Sequence, residues 1–255
     1  TSIYLQLNTV LLGFLKNALA VGYFAAATKV MQMLLTMSVC LGSVMMPRAS
    51  HLIAENKEDE FNRLIQKSYD FTLAIALPMT IGLIFCAPSL ITALCGVKFE
   101  HSILPSQIIA PIILMVAISN VFGIQVLFPK GKINIVTLCC GIGAVADLIL
   151  NLCLIPLFSY IGTSIAYLGA EVATTVSMYF IGRRYIPIIY FKKSHLTYAL
   201  GCVVMAFALY GLSLLQLPTF TILLLQGCCG VLAYFIILCI CKDEMLVQIL
   251  SKIKR

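Results

Sequence analysis

The stretch 20-AVGYFAAATKVMQMLLTMSVCLGSVMM-46 is almost continuously apolar, yet Lys29 stands inside it. A lysine at such a place needs a counter-charge or water, and what it finds depends on the solvent the chain is built for. Of the 255 residues, 61% are hydrophobic and 11% charged, and the mean hydropathy is +1.04. Soluble domains carry about 45–50% apolar and about 25% charged residues. The composition therefore predicts an all-α, polytopic membrane helix bundle.

Working outward, apolar runs of about 20 residues, enough to cross about 30 Å of hydrocarbon, predict spans near 22–46, 70–94, 104–128, 133–156, 160–182, 196–216 and 218–241. Residues 1–15 form a shorter apolar stretch with neither a starting Met nor a basic leader. They are expected to be a helix whose beginning is missing, which makes the chain a fragment with eight helices. If the spans alternate, one set of loops holds Arg48 to Lys67, Lys130 and Lys132, Arg183 to Lys193, and the tail from Lys242 to Arg255. Only Lys16, Lys29 and Lys98 of the 17 basic residues lie elsewhere. By the positive-inside rule the C-terminus is then cytoplasmic.

The formal charge of +7 reads as a topology signal with some attraction to anionic membrane lipids. A nucleic-acid partner is excluded, because no basic face interleaved with aromatics is present. Eleven cysteines lie almost wholly within spans, without CxxC spacing, and read as small buried hydrophobes. No metal or other cofactor is expected. No nucleophile–base–acid set and no glycine-rich phosphate loop occurs, and the three histidines are scattered over loops. The chain is therefore not expected to be an enzyme.

Local punctuation adds detail. Asn56 followed by Asp59 matches a capping box, and Phe61, Leu64 and Ile65 share one helical face, so loop 49–67 predicts an amphipathic helix on the inner interface. The tail 242–255 predicts a second. Pro78, Pro88, Pro105 and Pro111 fall inside spans and predict bends. Short hairpins are expected at 156–162 and 217–220. The longer 183-RRYIPIIYFKKSH-195 suggests a boundary between residues 1–186, six helices with the first truncated, and 187–255, a terminal pair with its tail.

Ionisable groups at membrane depth are candidates for function by default. Lys29, Asp147 and Glu171 all lie roughly 12–15 Å from the outer ends of their helices, from about 1.5 Å per residue. Pairing within that layer is allowed. Lys29, Gln32, Thr36 and Ser43 share one helix face at i, i+3, i+7 and i+14. That stripe marks either a water-filled, anion-attracting cavity or a lysine held by a carboxylate. Asp147 and Asn151 are i, i+4 partners, and Glu171 sits in a run of small residues suited to close helix packing. Asn8, Asn120 and Gln125 are expected to line the same cavity or to bridge helices.

The ordered set 21-VGYFAAATKV-30, 42-GSVMMPRAS-50, 125-QVLFPKGKINIV-136 and 148-LILNLCLIPLFSYIGTSIAYLGAEVATT-175 resembles the second half of Wzx-type lipid-linked oligosaccharide flippases. These belong to the MOP superfamily, with the lipid II flippases and the MATE exporters. The resemblance covers residue 1 to about 186. It implies a fourteen-helix protein of two six-helix lobes plus a terminal pair, of which this chain is the C-terminal lobe and pair, and the N-terminal lobe of the same protein is missing. It implies a polyprenyl-diphosphate-linked oligosaccharide as substrate, carried across a bacterial inner membrane for surface polysaccharide or lipopolysaccharide synthesis. In lipid II flippases a basic residue matching Lys29 faces the central cavity and is thought to meet the pyrophosphate. An acidic residue often stands where this chain has Asn8, so the resemblance does not carry proton or sodium coupling over to that position. The alternatives are a MATE-like cation or drug antiporter, which wants an acidic cavity, and a membrane-embedded enzyme of glycan assembly, which wants large outer loops.

Overall fold

The computed structural model describes residues 2–189, 192–215 and 218–241, with the side chains of residues 2, 3, 41 and 43 left aside. The tail expected to be amphipathic, 242–255, lies outside the described residues. All regular structure in the described residues is helical. In chain order it comprises α1 (Ser2–Leu15), α2 (Ala18–Ala54), α3 (Glu58–Cys95), α4 (Ile103–Ile109), α5 (Ile112–Asn120), α6 (Ile133–Gly182), α7 (Lys193–Ser213) and α8 (Thr219–Ile240).

Single-residue devices set the breaks. Asn17 caps α2, its side chain accepting the Ala20 amide at 2.9 Å. Asn56 has φ 56°, a left-handed conformation that asparagine tolerates better than most residues, and it turns the chain between α2 and α3. Gly96, at φ 89°, ends α3. Ser159 adopts φ 53° and divides α6. The two halves of α6 run antiparallel. A Cβ at Gly143 would meet Thr174, one at Gly169 would meet Leu150, and one at Gly162 would meet the Leu154 backbone. A straight helix would hold those pairs more than 10 Å apart at about 1.5 Å per residue. The hairpin expected at 156–162 is thus a reversal hinged on one serine.

Two sequence expectations need correction. Loop 49–67 holds no separate interfacial helix: its second part is the start of α3, continuous through Cys95. Phe61, Leu64 and Ile65 are buried in the main core instead of resting on lipid. The capping box is absent too, since Lys57 holds the cap position without a side-chain hydrogen bond. The expected span 104–128 is also bent. Helical segments Val97–Ile109 and Ile112–Leu127 meet at 42°, where Pro111 withholds an amide hydrogen bond. The second segment ends in a π-helical stretch, Val121–Leu127. Pro78 and Pro88, by contrast, lie within the unbroken α3.

Among the described residues, five helices are long and apolar enough to cross a membrane, or six with the bent pair counted as one. Large apolar side chains such as Phe14, Leu157, Leu196, Phe207 and Phe220 stand on the outside, as expected where lipid is the outer solvent. Two buried clusters lie within. One joins α1, α2, the bent pair and α6 through Tyr4, Phe24, Met31, Ile113 and Tyr167. The other joins α3, the π segment and α6 to α7 and α8 through Ile65, Phe122, Met205 and Tyr234. Lipid gives helices no hydrophobic reason to associate, so small residues that allow close approach carry much of this packing. Gly143 lies against Thr174, Tyr4 and the Ala170 carbonyl, and Gly201 lies against the Tyr234 ring.

The loops fall at two ends, as the alternation requires. At one end the Lys16 ammonium donates to the Pro156 carbonyl at 2.9 Å, joining the α1–α2 turn to the hinge of α6. At the other, Lys130 lies 5.1 Å from the Phe61 ring centroid and Lys132 5.2 Å from that of Tyr185.

Candidate functional site

The polar residues singled out at membrane depth separate into an open face and a buried core. On α2, Lys29 is exposed, Gln32 half-buried and Thr36 exposed, and the Thr36 hydroxyl is turned back onto the Gln32 carbonyl at 2.9 Å. The Ser43 side chain lies outside the described residues. Among the described residues no carboxylate comes within 4.0 Å of Lys29, so neither Asp147 nor Glu171 claims its charge.

Asp147, Asn151 and Asn8 are brought together, each fully buried. The first half of α6 places Asp147 and Asn151 one turn apart, and α1 packs Asn8 against them. Asn151 is the hub. Its amide nitrogen donates to Asn8 Oδ1 at 2.6 Å, to the Asp147 carbonyl at 2.8 Å and to Asp147 Oδ1 at 3.1 Å. The second carboxylate oxygen of Asp147, the Asn8 amide nitrogen and the Asn151 amide oxygen have no hydrogen-bond partner among the described residues. Glu171 is buried at 2% exposure on the same core face as Tyr167, and Thr175, four residues on, donates to the Met115 carbonyl at 3.1 Å and ties α6 to α5.

Asn120 and Gln125 are not with this group. Both approach Gly42 of α2, where a side chain would displace them. Gln125 sits on the π-helical stretch and accepts the Ser68 hydroxyl at 2.5 Å. Such π turns are frequent at functional sites, and no hydropathy pattern announces one. So Asn8 and Gln125 each bridge helices, at separate places.

Sequence reasoning also missed two features. Tyr4 donates to the Cys140 carbonyl at 2.8 Å and lies 3.2 Å from the Thr174 hydroxyl, pinning α1 to both halves of α6. Asp70, at the start of the hydrophobic part of α3, contacts Lys192 at 2.9 Å, His195 Nε2 at 2.9 Å and Gln66 at 2.7 Å. Gln66 also accepts the Ile189 amide at 2.8 Å. This cluster fastens the entry of α7 to the lobe. At the α2–α3 turn, a 2.8 Å contact with Lys57 holds the Glu55 carboxyl below its ordinary range, and the same contact raises Lys57. No group of three or more His, Cys, Asp or Glu side chains suited to a metal ion occurs among the described residues.

With this geometry in view, the comparisons are specific. A family model described as "Lipid II flippase MurJ" matches residues 2–227. The chain belongs to that family. Two curated relatives, each named "Putative O-antigen transporter", are 27% identical: one from Escherichia coli strain K12 over 180 residues, 69% of this chain and 42% of the relative, and one from Shigella dysenteriae over 181 residues, 70% of this chain and 44% of the relative. Among solved structures, one titled "Lipid II flippase MurJ, inward closed conformation" superposes with a TM-score of 0.82 at 18% identity, covering 96% of this chain and 52% of that one. The chain thus spans about half the length of the proteins it matches. The flippase fold expected from the resemblance is confirmed, and the chain is a multi-pass membrane protein.

Proposed function

We propose that this chain is the C-terminal lobe, residues 1–186, and terminal helix pair, residues 187–255, of a flippase that moves a polyprenyl-diphosphate-linked oligosaccharide for surface polysaccharide synthesis. The observation that carries the reading is the separation of charges at membrane depth. The acids are buried at helix contacts, whereas Lys29 is exposed on α2 with no carboxylate partner among the described residues. A lysine is costly in a bilayer unless it meets water or an anion, and a diphosphate is the anion that this substrate class offers. The names of the relatives and of the family support the substrate class.

In this reading the α2 face lines a water-filled cavity closed on its far side by the N-terminal lobe. Lys29 holds the diphosphate while Gln32 and Thr36 give the sugar end neutral hydrogen-bonding groups. The polyprenyl tail stays in lipid, and rocking of the two lobes exposes the headgroup to alternate sides. The basic loops face the cytoplasm, as the distribution of lysine and arginine supports, in a bacterial inner membrane. Asp147 and Asn151 form the coupling element, with Asn8 bonded to Asn151: a buried carboxylate with one oxygen unpartnered changes its packing when it takes up or loses a cation. A MATE-like exporter of cations is not favoured, since the exposed charge on the stripe is itself a cation. The protein transports and performs no chemistry on its substrate.

The test is export of surface polysaccharide by full-length protein carrying Lys29→Ala or Lys29→Arg. Export should fail with alanine and largely survive with arginine. Export at the normal level with alanine sinks the proposal.

A further inference from the structure

A second polar side chain is exposed at the depth of Lys29, on the neighbouring helix. Gln6 lies in the middle of α1 and is exposed. Its carboxamide makes no hydrogen bond among the described residues. An amide group left open in hydrocarbon is costly, so this one needs water or a ligand.

The geometry of the α1–α2 hairpin shows where Gln6 stands. A Cβ at Gly13 of α1 would lie 3.7 Å from Val21 Cγ2 of α2, so the Gly13 side of α1 looks at α2. Gln6 is seven residues from Gly13, about 700° of rotation at 3.6 residues per turn, which returns it to within about 20° of the same side. Tyr4, Asn8 and Leu12, all buried, take the opposite side against the core. In depth, Gln6 lies about 10 Å inward of the Gly13–Val21 contact, and Lys29, eight residues beyond Val21, lies about 12 Å inward. Lys29 is turned about 80° round α2 from Val21, away from the buried Phe24, Ala27 and Met31. The two side chains therefore flank one crevice at one level. Thr28, on the α2 side of that crevice, turns its hydroxyl back to the Phe24 and Ala25 carbonyls at 3.0 and 3.1 Å. Gln6 is left for whatever enters.

The two groups suit different parts of one headgroup. Diphosphate oxygens only accept hydrogen bonds, and the Lys29 ammonium brings three donors to them. A carboxamide carries a donor and an acceptor side by side, and a sugar uses both, because each hydroxyl donates as well as accepts. Packed helices lie about 8–10 Å apart, so a headgroup that bridges the crevice meets both residues. We propose that Gln6 is a substrate-binding residue that hydrogen-bonds the sugar unit attached directly to the diphosphate. The proposal rests on the flippase reading above and adds a sugar-recognising group on α1 to the phosphate-binding group on α2.

The experiment measures the affinity of the full-length protein in lipid nanodiscs for two probes: undecaprenyl diphosphate, and the same lipid carrying a single N-acetylglucosamine. The parent is compared with Gln6→Met, which keeps chain length and helix propensity, with Gln6→Ala, and with Lys29→Ala. The parent should bind the sugar-bearing lipid more tightly. Either Gln6 variant should weaken that ligand about fivefold, the usual worth of one hydrogen bond, and leave undecaprenyl diphosphate within about twofold of the parent. Lys29→Ala should weaken both ligands. The proposal is overturned if the sugar adds nothing to binding by the parent, or if the Gln6 variants weaken neither ligand. It is overturned too if they weaken both equally, as loss of a contact with the N-terminal lobe would. Unchanged affinities in Lys29→Ala would refute the diphosphate reading separately, while a sugar-selective loss at Gln6 would still support the sugar contact.

Discussion

Replacing Asn151 with leucine removes the hub of the buried cluster. The nitrogen that serves Asn8 Oδ1 at 2.6 Å and Asp147 Oδ1 at 3.1 Å disappears, and both oxygens remain fully buried. A buried polar group stripped of its partner costs about 1–3 kcal/mol. Hydrogen bonds between helices in a membrane average only about 0.6 kcal/mol, with a maximum near 1.7. Their difference lies in whether the abandoned group finds another partner. Here Asp147 already has one oxygen without a hydrogen-bond partner among the described residues, so relief is limited and a loss of about 1–3 kcal/mol is expected. In a domain of this size that is roughly 2–12 °C in melting temperature. The assay is thermal unfolding of purified full-length protein bearing Asn151→Leu, Asn8→Leu and both. Because the residues touch, the double variant should fall short of the sum of the singles by about 0.6–1.7 kcal/mol. Additivity within about 0.3 kcal/mol would refute the reasoning and mean that α1 and α6 meet without this bond.

Three further outcomes follow from the geometry. Gly143→Ala places a Cβ 2.8 Å from the Tyr4 hydroxyl and 3.1 Å from the Ala170 carbonyl, so the halves of α6 must part at a cost of about 1–3 kcal/mol; a lower melting temperature checks it, and an unchanged one contradicts the antiparallel packing. Asp70→Ala strips Lys192 and His195 of their common acceptor, and amide exchange over 193–198 should quicken about tenfold, measured by hydrogen–deuterium exchange, with α1 and α2 unaffected. Glu55, whose carboxyl is held below its ordinary range by Lys57, contributes stability that is present above the unfolded-state value near 4.5 and is lost as the pH falls through the lower folded value. Glu55→Gln should therefore flatten a small acid-side slope in a melting-temperature profile, and an unchanged slope would show the pair to be inert.

Hydropathy made the membrane passes legible, because a run of apolar residues at Ala18–Ala54 or Thr219–Ile240 needs no tertiary partner to be recognised. The breaks were less legible. Pro111 bends its span while Pro78 and Pro88 leave α3 whole, so the presence of a proline does not by itself place a break. Asn56 matched a capping motif by composition, but its left-handed backbone makes it a turn, and the helix that follows enters the core at Phe61. The polar layer was legible in its members and not in its pairings. Depth put Lys29, Asp147 and Glu171 together. Rotation about each helix, set by contacts such as Tyr4 with Thr174, then turned the acids inward and left Lys29 outside. The π-helical stretch around Gln125 and the anchor at Asp70 arise from contacts between distant segments, which no local spacing encodes.

The central claim is that Lys29 binds a diphosphate. The direct measurement is the affinity of the full-length protein in lipid nanodiscs for a polyprenyl-diphosphate-linked oligosaccharide, compared between the parent and Lys29→Ala. A charge-assisted hydrogen bond is worth about 1.5–3 kcal/mol, so alanine should weaken binding about 10- to 100-fold while arginine restores most of it. Equal affinity in the parent and the alanine variant would contradict the account and return Lys29 to a structural role.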